Sequence, residues 1–478
     1  MMLRAEKQRK LRMDMTQGPL LPKIMRFILP LILTNMLQQF YHAADIMIVG
    51  LSPEADAVGA VGSTATFLGL IRNLFIGFSV GTNVVVARYI GKRDHEGAEC
   101  AIHTSICMGL LFGVIGSLLG ILLTRTVLVG MGYSGTLLTL AVRYSYIYLA
   151  CMPFLSLTNF LSAILRAQGN TETTLRVLSY TGILNIGLNL FFVKVLGWSV
   201  EGVAVATAIA NLTSAVLLWV YLMRGKEQYR LRMRALRFSR VQFGEVARVG
   251  FPAGIQSSLF SISNILIQSS ILRVNNLVTP AGSEYAPVIR GNSATGSLES
   301  FIFEALGATT VASSTFIAQN AGAGNYRRAR SAFGYICLIS AIIGAVMSVL
   351  GMLLHRPLLA LYGVGDSADL LGSLAFSAAW TRMLWKWPGF VIYALMNACA
   401  GTIRGLGKST TAAAITFFGT CVFRVIWIYT VFSRFVHLES IHISYPASWL
   451  LTGLLFLPSL IKLFKEGIRG TEAEQEAK

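Results

Sequence analysis

Four polar residues recur at helical spacing within the first long apolar segment of the chain. Asn35, Gln38, His42 and Asp45 fall at i, i+3, i+7 and i+10, so their side chains share one face of a helix. A carboxylate at the centre of a bilayer costs roughly 2.5 to 3.5 kcal/mol on insertion scales, which makes an intramembrane acid a candidate for a functional site. Asp45 is therefore a candidate to bind a cation or a proton. The alternative is a carboxylate that neighbouring helices merely satisfy.

Later segments of the same half offer partners for Asp45. Asn185 and Asn189 lie at i, i+4 on one helical face, and Thr207 and Asn211 have the same spacing. One carboxylate with amide and hydroxyl oxygens is a ligand set that suits a hard monovalent cation, whereas the acid alone can carry a proton. Asn and Thr side chains also hold helices together, so neither stripe alone decides between these interpretations.

The second half carries a different set of intramembrane charges. They are two acids, Glu299 and Glu304, and three bases, Arg382, Lys386 and Arg424. Arg382 and Lys386 are one turn apart on one helical face, whereas Glu299 and Glu304 point away from each other. One interpretation is a buried ion-pair network that stabilises the helix bundle; the other is that some of these residues line a binding cavity.

The composition requires a membrane around these residues. Of the 478 residues, 54% are hydrophobic and 13% are charged, and the mean hydropathy is +0.62, outside the range of soluble domains. Apolar runs of the roughly 20 residues that span a bilayer predict an all-α integral membrane protein with 12 transmembrane helices. The fourth and tenth spans are predicted as single helices at 136–165 and 369–402. The predicted order is a cytoplasmic N-terminus (1–23), a six-helix lobe (24–223), a basic cytoplasmic linker (224–247), a second six-helix lobe (248–466) and a disordered cytoplasmic tail (467–478).

The net charge of +18 raises the question of nucleic-acid binding. Lys and Arg, however, are concentrated in the two termini and in alternate loops, most densely between Arg224 and Arg248. This positive-inside pattern predicts a multi-pass protein with both termini in the cytoplasm, and it makes a nucleic-acid partner unnecessary. The six cysteines form no C-x-x-C pair, so neither a disulfide framework nor a zinc site is predicted.

The two halves of the chain repeat each other. Gly62-Ser-Thr-Ala-Thr66 returns as Gly291-Asn-Ser-Ala-Thr295, and Pro30 in the first span matches Pro252 in the seventh. The offset drifts from 222 residues for the proline pair to 229 for the glycine pair, as loop-length changes produce in a duplicated unit. Duplicated helix bundles in a membrane favour a transporter, because two similar bundles can rock about a site between them.

These motifs resemble the multidrug and toxic compound extrusion (MATE) family, especially its bacterial members. The resemblance extends from Met15 to about Phe464. It depends on the order and the doubling of the following strings: Met15-Thr-Gln-Gly-Pro19, Asp45-Ile-Met-Ile-Val-Gly50, Gly77-Phe-Ser-Val-Gly81, Gln319-Asn-Ala-Gly322 and Arg404-Gly-Leu-Gly407.

The resemblance implies two pseudo-symmetric six-helix bundles that form a V-shaped cleft in the cell membrane of a prokaryote. It implies a monomer that binds small molecules and exports amphiphilic, mostly cationic compounds in exchange for Na⁺ or H⁺, with no other cofactor. The coupling-ion site that it implies is Asp45, completed by Asn185, Asn189 and Thr207. Many relatives have a second acid where this chain has Asn189, so both coupling ions remain open. The remaining candidates for a proton relay or for the cavity lining are Asn35, Gln38, His42, Asn159 and Asn211.

Other functions compete with this one. The intramembrane bases suit a flippase or exporter of an anionic, lipid-linked or other acidic substrate. A polytopic membrane enzyme would need converging His, Asp or Glu residues at a membrane face, with a nucleophile or a metal. The string Gly77-Phe-Ser79-Val-Gly81 does match a nucleophile elbow, but it lies within an apolar span, where small residues predict close helix packing instead. A passive channel fits a six-plus-six duplication less well than rocking lobes do.

Overall fold

The chain is helical throughout the part that its computed structural model describes. The described residues are 13–52, 54, 56–224, 237–280, 286–365 and 369–476, and no strand occurs among them. They form two compact units. Unit 1 comprises Met1–Ile255 with Ala318–Gly324, and unit 2 comprises Gln256–Ile317 with Asn325–Lys478. The two units divide within the helices Arg240–Val278 and Pro287–Gly322, whereas the sequence predicts a boundary in the basic linker at 224–247.

Among the described residues eight helices begin in unit 1, and the last of them ends in unit 2. A π-helical turn, Phe191–Val195, extends the sixth helix. In chain order the helices are α1 (Leu20–Val49), α2 (Ala57–Gly91), α3 (His95–Gly130), α4 (Gly135–Ala150), α5 (Met152–Ala167), α6 (Glu172–Leu190), α7 (Val200–Arg224) and α8 (Arg240–Val278).

Unit 2 continues with shorter and more interrupted elements. They are α9 (Pro287–Gly322), α10 (Tyr326–Leu353), α11 (His355–Ala360), α12 (Leu370–Lys386), a 3₁₀ turn (Trp387–Gly389), α13 (Phe390–Gly405), α14 (Ser409–Thr416), a π turn (Phe417–Val422), α15 (Phe423–Trp427), a second π turn (Ile428–Phe432) and α16 (Leu438–Glu476).

Length and composition make most of these helices able to cross a membrane. Among the described residues nine helices qualify, and ten do if the bent pair α4–α5 is one span. This confirms the predicted all-α membrane fold. The predicted spans at 248–272 and 369–402 are helical as α8 and as α12 with α13, but they are shorter or less apolar than the others. A count of twelve therefore stays a prediction.

The fourth predicted span is not one straight helix. Instead of a single helix over 136–165, α4 and α5 meet at Cys151 with a bend of 46°. Pro153 in the first turn of α5 explains the break, because proline cannot donate the backbone hydrogen bond that would join the two helices. The tenth predicted span is interrupted by a 3₁₀ turn that contains Pro388, which lies 235 residues after Pro153.

Small residues allow the helices of unit 1 to approach closely. An ideal Cβ on Gly77 would lie 2.2 Å from the backbone of Gly254 in α8, and one on Gly81 would lie 2.3 Å from the carbonyl oxygen of Val246. A side chain at either glycine would collide with backbone atoms. The interpretation of the Gly77–Gly81 string as a packing motif is therefore confirmed.

Residues 467–476 of the C-terminal tail are helical, whereas the sequence predicts disorder over 467–478; residues 477 and 478 lie outside the described residues. Helix α16 continues to Glu476. Gly467 packs against the ring of Tyr326, where an ideal Cβ would lie 2.2 Å away, and Arg327 donates to Glu472 at 2.6 Å. The polar composition of the tail suggested a solvated chain, but these contacts to the start of α10 hold it in helical form.

Candidate functional site

Helices α1, α6 and α7 bring the four proposed coupling residues together inside unit 1. Asp45 of α1 is buried, with 8% of its surface exposed, and its Oδ1 accepts a hydrogen bond from Asn189 Nδ2 at 2.5 Å. The same Nδ2 lies 3.3 Å from Asn185 Oδ1, and Asn185 Nδ2 donates to Thr207 Oγ1 at 3.4 Å. All four side chains are buried. They form one continuous polar chain across three helices.

This chain contains an oxygen without a partner. Asn189 Oδ1 is buried and makes no hydrogen bond with any described residue. Leaving a buried polar atom unsatisfied costs about 1 to 3 kcal/mol. A carboxylate beside an available amide oxygen and a hydroxyl is the donor set of a hard cation. All the donors here are hard oxygen atoms with a single carboxylate among them, a set that suits a singly charged ion better than a transition metal.

The π turn beginning at Phe191 starts two residues after Asn189. Such a turn shifts the hydrogen-bond register of the helix locally, and single π turns occur frequently at functional sites. It follows the part of α6 that carries Asn185 and Asn189, so these side chains stand at the edge of an irregular backbone segment. The helical spacing that paired them in the sequence is nevertheless kept.

His42 makes a different contact from the one expected of a proton relay. Its Nε2 lies 2.5 Å from Nη1 of Arg72, a base on α2 for which the sequence indicates no partner. A guanidinium can only donate, so Nε2 must accept and the imidazole must be neutral, with its proton on Nδ1. Arg72 Nε is buried without a described partner. His42 is therefore bonded to a fixed cation, and no hydrogen bond to Asp45 is found among the described residues.

Among the described residues three other polar candidates of this lobe, Gln38, Asn159 and Asn211, do not join the chain of Asp45. Gln38 is exposed and Asn35 is half-buried. Asn159 and Asn211 each donate to the backbone carbonyl four residues earlier in their own helix, both at 3.0 Å. Helical spacing alone placed these residues beside Asp45, whereas the rotation of each helix in the bundle directs them elsewhere.

In unit 2 a single carboxylate forms ion pairs with two of the three predicted bases. Glu299 of α9 accepts from Arg382 Nε at 2.9 Å and from Arg382 Nη2 and Lys386 Nζ at 2.5 Å each. The Trp387 indole donates to it at 3.3 Å. The Glu299 side chain is 1% exposed, that of Lys386 2% and that of Arg382 11%. Glu299 is thus fully bonded, and its two basic partners depend on it.

Arg424 and Glu304 stand outside this cluster. Arg424, in the short helix α15 between two π turns, is buried and donates from Nε to Ser448 Oγ at 3.0 Å. Its guanidinium carbon lies 4.2 Å from the centre of the Tyr445 ring. Glu304 lies at an exposed position of α9. Of the five charges that the sequence suggests as a network, Glu299, Arg382 and Lys386 are the three that form this cluster.

Aromatic residues that the sequence analysis did not single out surround these bases. Tyr445 lies between two cations, with Lys386 Nζ 3.8 Å and Arg424 Cζ 4.2 Å from its ring centre. Cation–π contacts stabilise by roughly 0.5 to 2 kcal/mol, less than the roughly 2.5 to 3.5 kcal/mol that a base costs at membrane depth. Tyr445 and Trp449 follow His442 at i+3 and i+7. Their shared helical face was the signal available in the sequence.

An all-helical membrane protein with a buried ionisable cluster in each of two units has the features of a secondary transporter. The family model described as MatE matches residues 30–191 and 261–430. The chain therefore belongs to the MATE family of multidrug efflux transporters, as its motifs predicted. Members of this family are multi-pass proteins of the cell membrane that act on small molecules, and they are transporters rather than enzymes.

Two bacterial relatives illustrate the similarity in sequence. The probable multidrug resistance protein YoeA of Bacillus subtilis (strain 168) is 25% identical over 469 residues, covering 93% of this chain and 96% of that protein. The multidrug export protein MepA of Staphylococcus aureus (strain MRSA252) is 23% identical over 265 residues, covering 54% of this chain and 58% of that protein.

Solved structures show the same fold. A MATE crystallised in complex with MaL6 has a TM-score of 0.83 at 21% identity, covering 97% of this chain and 98% of that chain. A transporter of the MOP superfamily from Pyrococcus furiosus, described as having a binding pocket of reverse polarity, has a TM-score of 0.83 at 21% identity, covering 96% of this chain and 97% of that chain. The predicted fold class is confirmed by these similarities.

Proposed function

We propose that this protein exports organic, mostly cationic amphiphilic compounds from the cell in exchange for Na⁺ or H⁺, by alternating access. The observation that carries the proposal is the buried Asp45 carboxylate, bonded to an asparagine whose own oxygen has no partner. The relatives named multidrug resistance and multidrug export proteins support the efflux direction. The positive-inside distribution of Lys and Arg supports cytoplasmic termini.

In this proposal Asp45 takes up the coupling ion and changes its hydrogen bonds when it does so. A sodium ion would be held by the carboxylate together with the oxygens of Asn189, Asn185 and Thr207, and the Asn189 amide would rotate away from Asp45. A proton would instead neutralise the carboxylate, which could then donate to Asn189 Oδ1. Either event removes a buried negative charge, so it biases unit 1 toward one of its conformations, and the ion gradient can drive transport.

A second candidate function concerns substrates of the opposite charge. The excess of buried bases in unit 2 favours an anionic compound, such as an acidic drug or a lipid-linked anion, because those bases would repel a simple cation. The Pyrococcus transporter, which shares this fold, is described as having a binding pocket of reverse polarity. Substrates of the opposite charge are therefore worth testing for this chain as well. Cation coupling at Asp45 applies to both candidates.

Transport by the purified protein in liposomes tests the proposal. Vesicles with ethidium as a fluorescent cation are given an inward Na⁺ gradient, an inward H⁺ gradient or neither, and ethidium movement against its own gradient is followed. We expect one of the two gradients to drive movement that stops when an ionophore dissipates it. Ethidium that only equilibrates down its own gradient, at the same rate with and without the ion gradients, would contradict cation antiport and favour a passive channel.

A further inference from the structure

The buried charges in the described part of unit 2 do not balance. Glu299 is the one buried carboxylate there, against the buried Lys386 and Arg424 and the partly buried Arg382. Both oxygens of Glu299 are occupied by Arg382, Lys386 and the Trp387 indole. Arg424 therefore lacks an acid partner among the residues that the structure describes. A base kept inside a membrane protein without a counter-charge marks a place where an anion or a substrate binds.

The guanidinium of Arg424 is held in place but is not saturated. Its Nε donates to Ser448 Oγ at 3.0 Å, and its plane is fixed beside Tyr445 at 4.2 Å and Trp449 at 6.0 Å. Among the described residues neither terminal nitrogen of Arg424 has a hydrogen-bond acceptor. These two groups form the fork that binds a planar carboxylate with two parallel hydrogen bonds.

His442 supplies a second unpartnered group on the same side of α16. It is 1% exposed, and neither of its ring nitrogens has a hydrogen-bond partner among the described residues. It lies one helical turn before Tyr445, so it shares the face that contacts Arg424 and Lys386. A neutral imidazole that faces bases can donate to an anion from whichever nitrogen carries its proton.

The surroundings of these polar groups are aromatic. The ring of Trp449 lies 5.8 Å from that of Tyr445 and 5.0 Å from that of Tyr393, and the Phe303 ring is 6.4 Å from Trp449. Tyr393 and Phe303 are half-buried, so this aromatic wall reaches a surface of unit 2. Flat aromatic ligands stack on such a wall, because offset and edge contacts between rings are favourable.

We propose that Arg424, with His442, forms a binding site in unit 2 for the carboxylate of an aromatic amphiphile. This inference rests on the second candidate function and deepens it by assigning a substrate class to unit 2. Compounds with an acidic group on an aromatic body would be recognised, including zwitterions that also carry a cationic centre. Ser448 is a positioning residue, since it orients the guanidinium through Nε.

Binding to the purified full-length protein in detergent, with no ion gradient, tests the site. The probe is 2-naphthoate, and its neutral counterpart 2-naphthalenemethanol has the same aromatic body without the charge. We expect Arg424→Gln to weaken naphthoate binding by about tenfold or more, the effect of losing a charged hydrogen-bond partner, and to change binding of the alcohol by less than about twofold. Lys462→Gln is the matched control, because it removes an exposed base from α16.

Arg424→Lys keeps the charge and serves as a second variant in case Arg424→Gln does not fold. It should bind naphthoate less tightly than wild type, since a lysine lacks the fork, and His442→Phe should also reduce the preference for naphthoate over the alcohol. The proposal is overturned if wild type binds both probes equally, or if Arg424→Gln weakens both equally. It is also overturned if phosphatidylglycerol binds in an Arg424-dependent manner and naphthoate does not, which would indicate a lipid site.

The outcome can be separated from that of the proposed function. Binding without a gradient does not depend on Asp45, so a positive naphthoate result stands even if no cation gradient drives transport. Conversely, gradient-driven ethidium movement with no Arg424-dependent naphthoate binding would keep cation antiport and reject the carboxylate site.

Discussion

Replacing Glu299 by glutamine should destabilise unit 2 strongly while changing very little in shape. Glutamine has the volume of glutamate but no charge, so it leaves Arg382 and Lys386 buried without a counter-ion. Lys386 is 2% exposed, and the carboxylate it would lose lies 2.5 Å away. Lys386 cannot turn its charge to water without moving α12, whereas Arg382 keeps the hydrogen bonds from its Nη1 to Asn292.

The size of the effect follows from this burial. Removing one partner of a buried ion pair typically costs about 3 to 5 kcal/mol. For a unit of about 200 residues each kcal/mol shifts the unfolding midpoint by about 2 to 4 °C, so we expect a loss of roughly 6 to 20 °C. Combining Glu299→Gln with Lys386→Met should recover part of the loss, because the second change removes an unpaired base and the two effects are not additive.

Thermal unfolding in detergent, followed at one scan rate because membrane proteins unfold irreversibly, measures this effect. Glu304→Gln is the matched control: it makes the same chemical change in the same helix, at an exposed position. We expect the control to lie within about 2 °C of wild type, as surface substitutions usually do. A Glu299→Gln midpoint equal to that of Glu304→Gln would show that the cluster does not stabilise the bundle.

Three further outcomes are expected in unit 1. Asn189→Leu removes the donor to Asp45 and the unpartnered oxygen beside it, so gradient-driven transport should fall by about tenfold or more, measured as initial rate in liposomes. His42→Asn should leave the pH profile of transport superimposable on that of wild type, because the contact with Arg72 keeps the imidazole neutral; a displaced profile would contradict this protonation state. Gly182→Ala should lower the unfolding midpoint by several degrees, because its Cβ would lie 1.8 Å from a tyrosine ring of α1, and an unchanged midpoint would mean that the α1–α6 contact can yield.

Helical periodicity predicted those features that depend on one helix at a time. Asn185 and Asn189 share a face because residues four apart lie one above the other, and their side chains are indeed 3.3 Å apart. The same rule correctly paired Arg382 with Lys386. The apolar runs and the duplicated motifs were sufficient to predict an all-helical membrane fold. An apolar segment that crosses a bilayer must satisfy its own backbone hydrogen bonds, and a helix does so.

Periodicity could not predict how the helices are rotated and broken. Gln38 lies on the same helical face as Asp45 but is exposed, because only part of a wide polar face can contact the neighbouring helices. Arg72 is bonded to His42 across two helices, a contact between side chains 30 positions apart that spacing within one helix cannot show. The break before Pro153 was visible as a proline, but the apolar run on both sides of it suggested one continuous span.

Transport by Asp45→Asn tests the central claim most directly. The comparison is ethidium accumulation against its gradient in liposomes that hold equal amounts of wild type, Asp45→Asn or Asp56→Asn. Asp56→Asn is the matched control, because it neutralises an exposed acid of the same unit that bonds only Thr136 among the described residues. We expect all three proteins to insert normally, Asp56→Asn to accumulate ethidium fully, and Asp45→Asn to accumulate no more than passive leak through the bilayer allows. Accumulation by a correctly inserted Asp45→Asn protein equal to that of wild type would contradict the claim that Asp45 couples transport to the cation gradient.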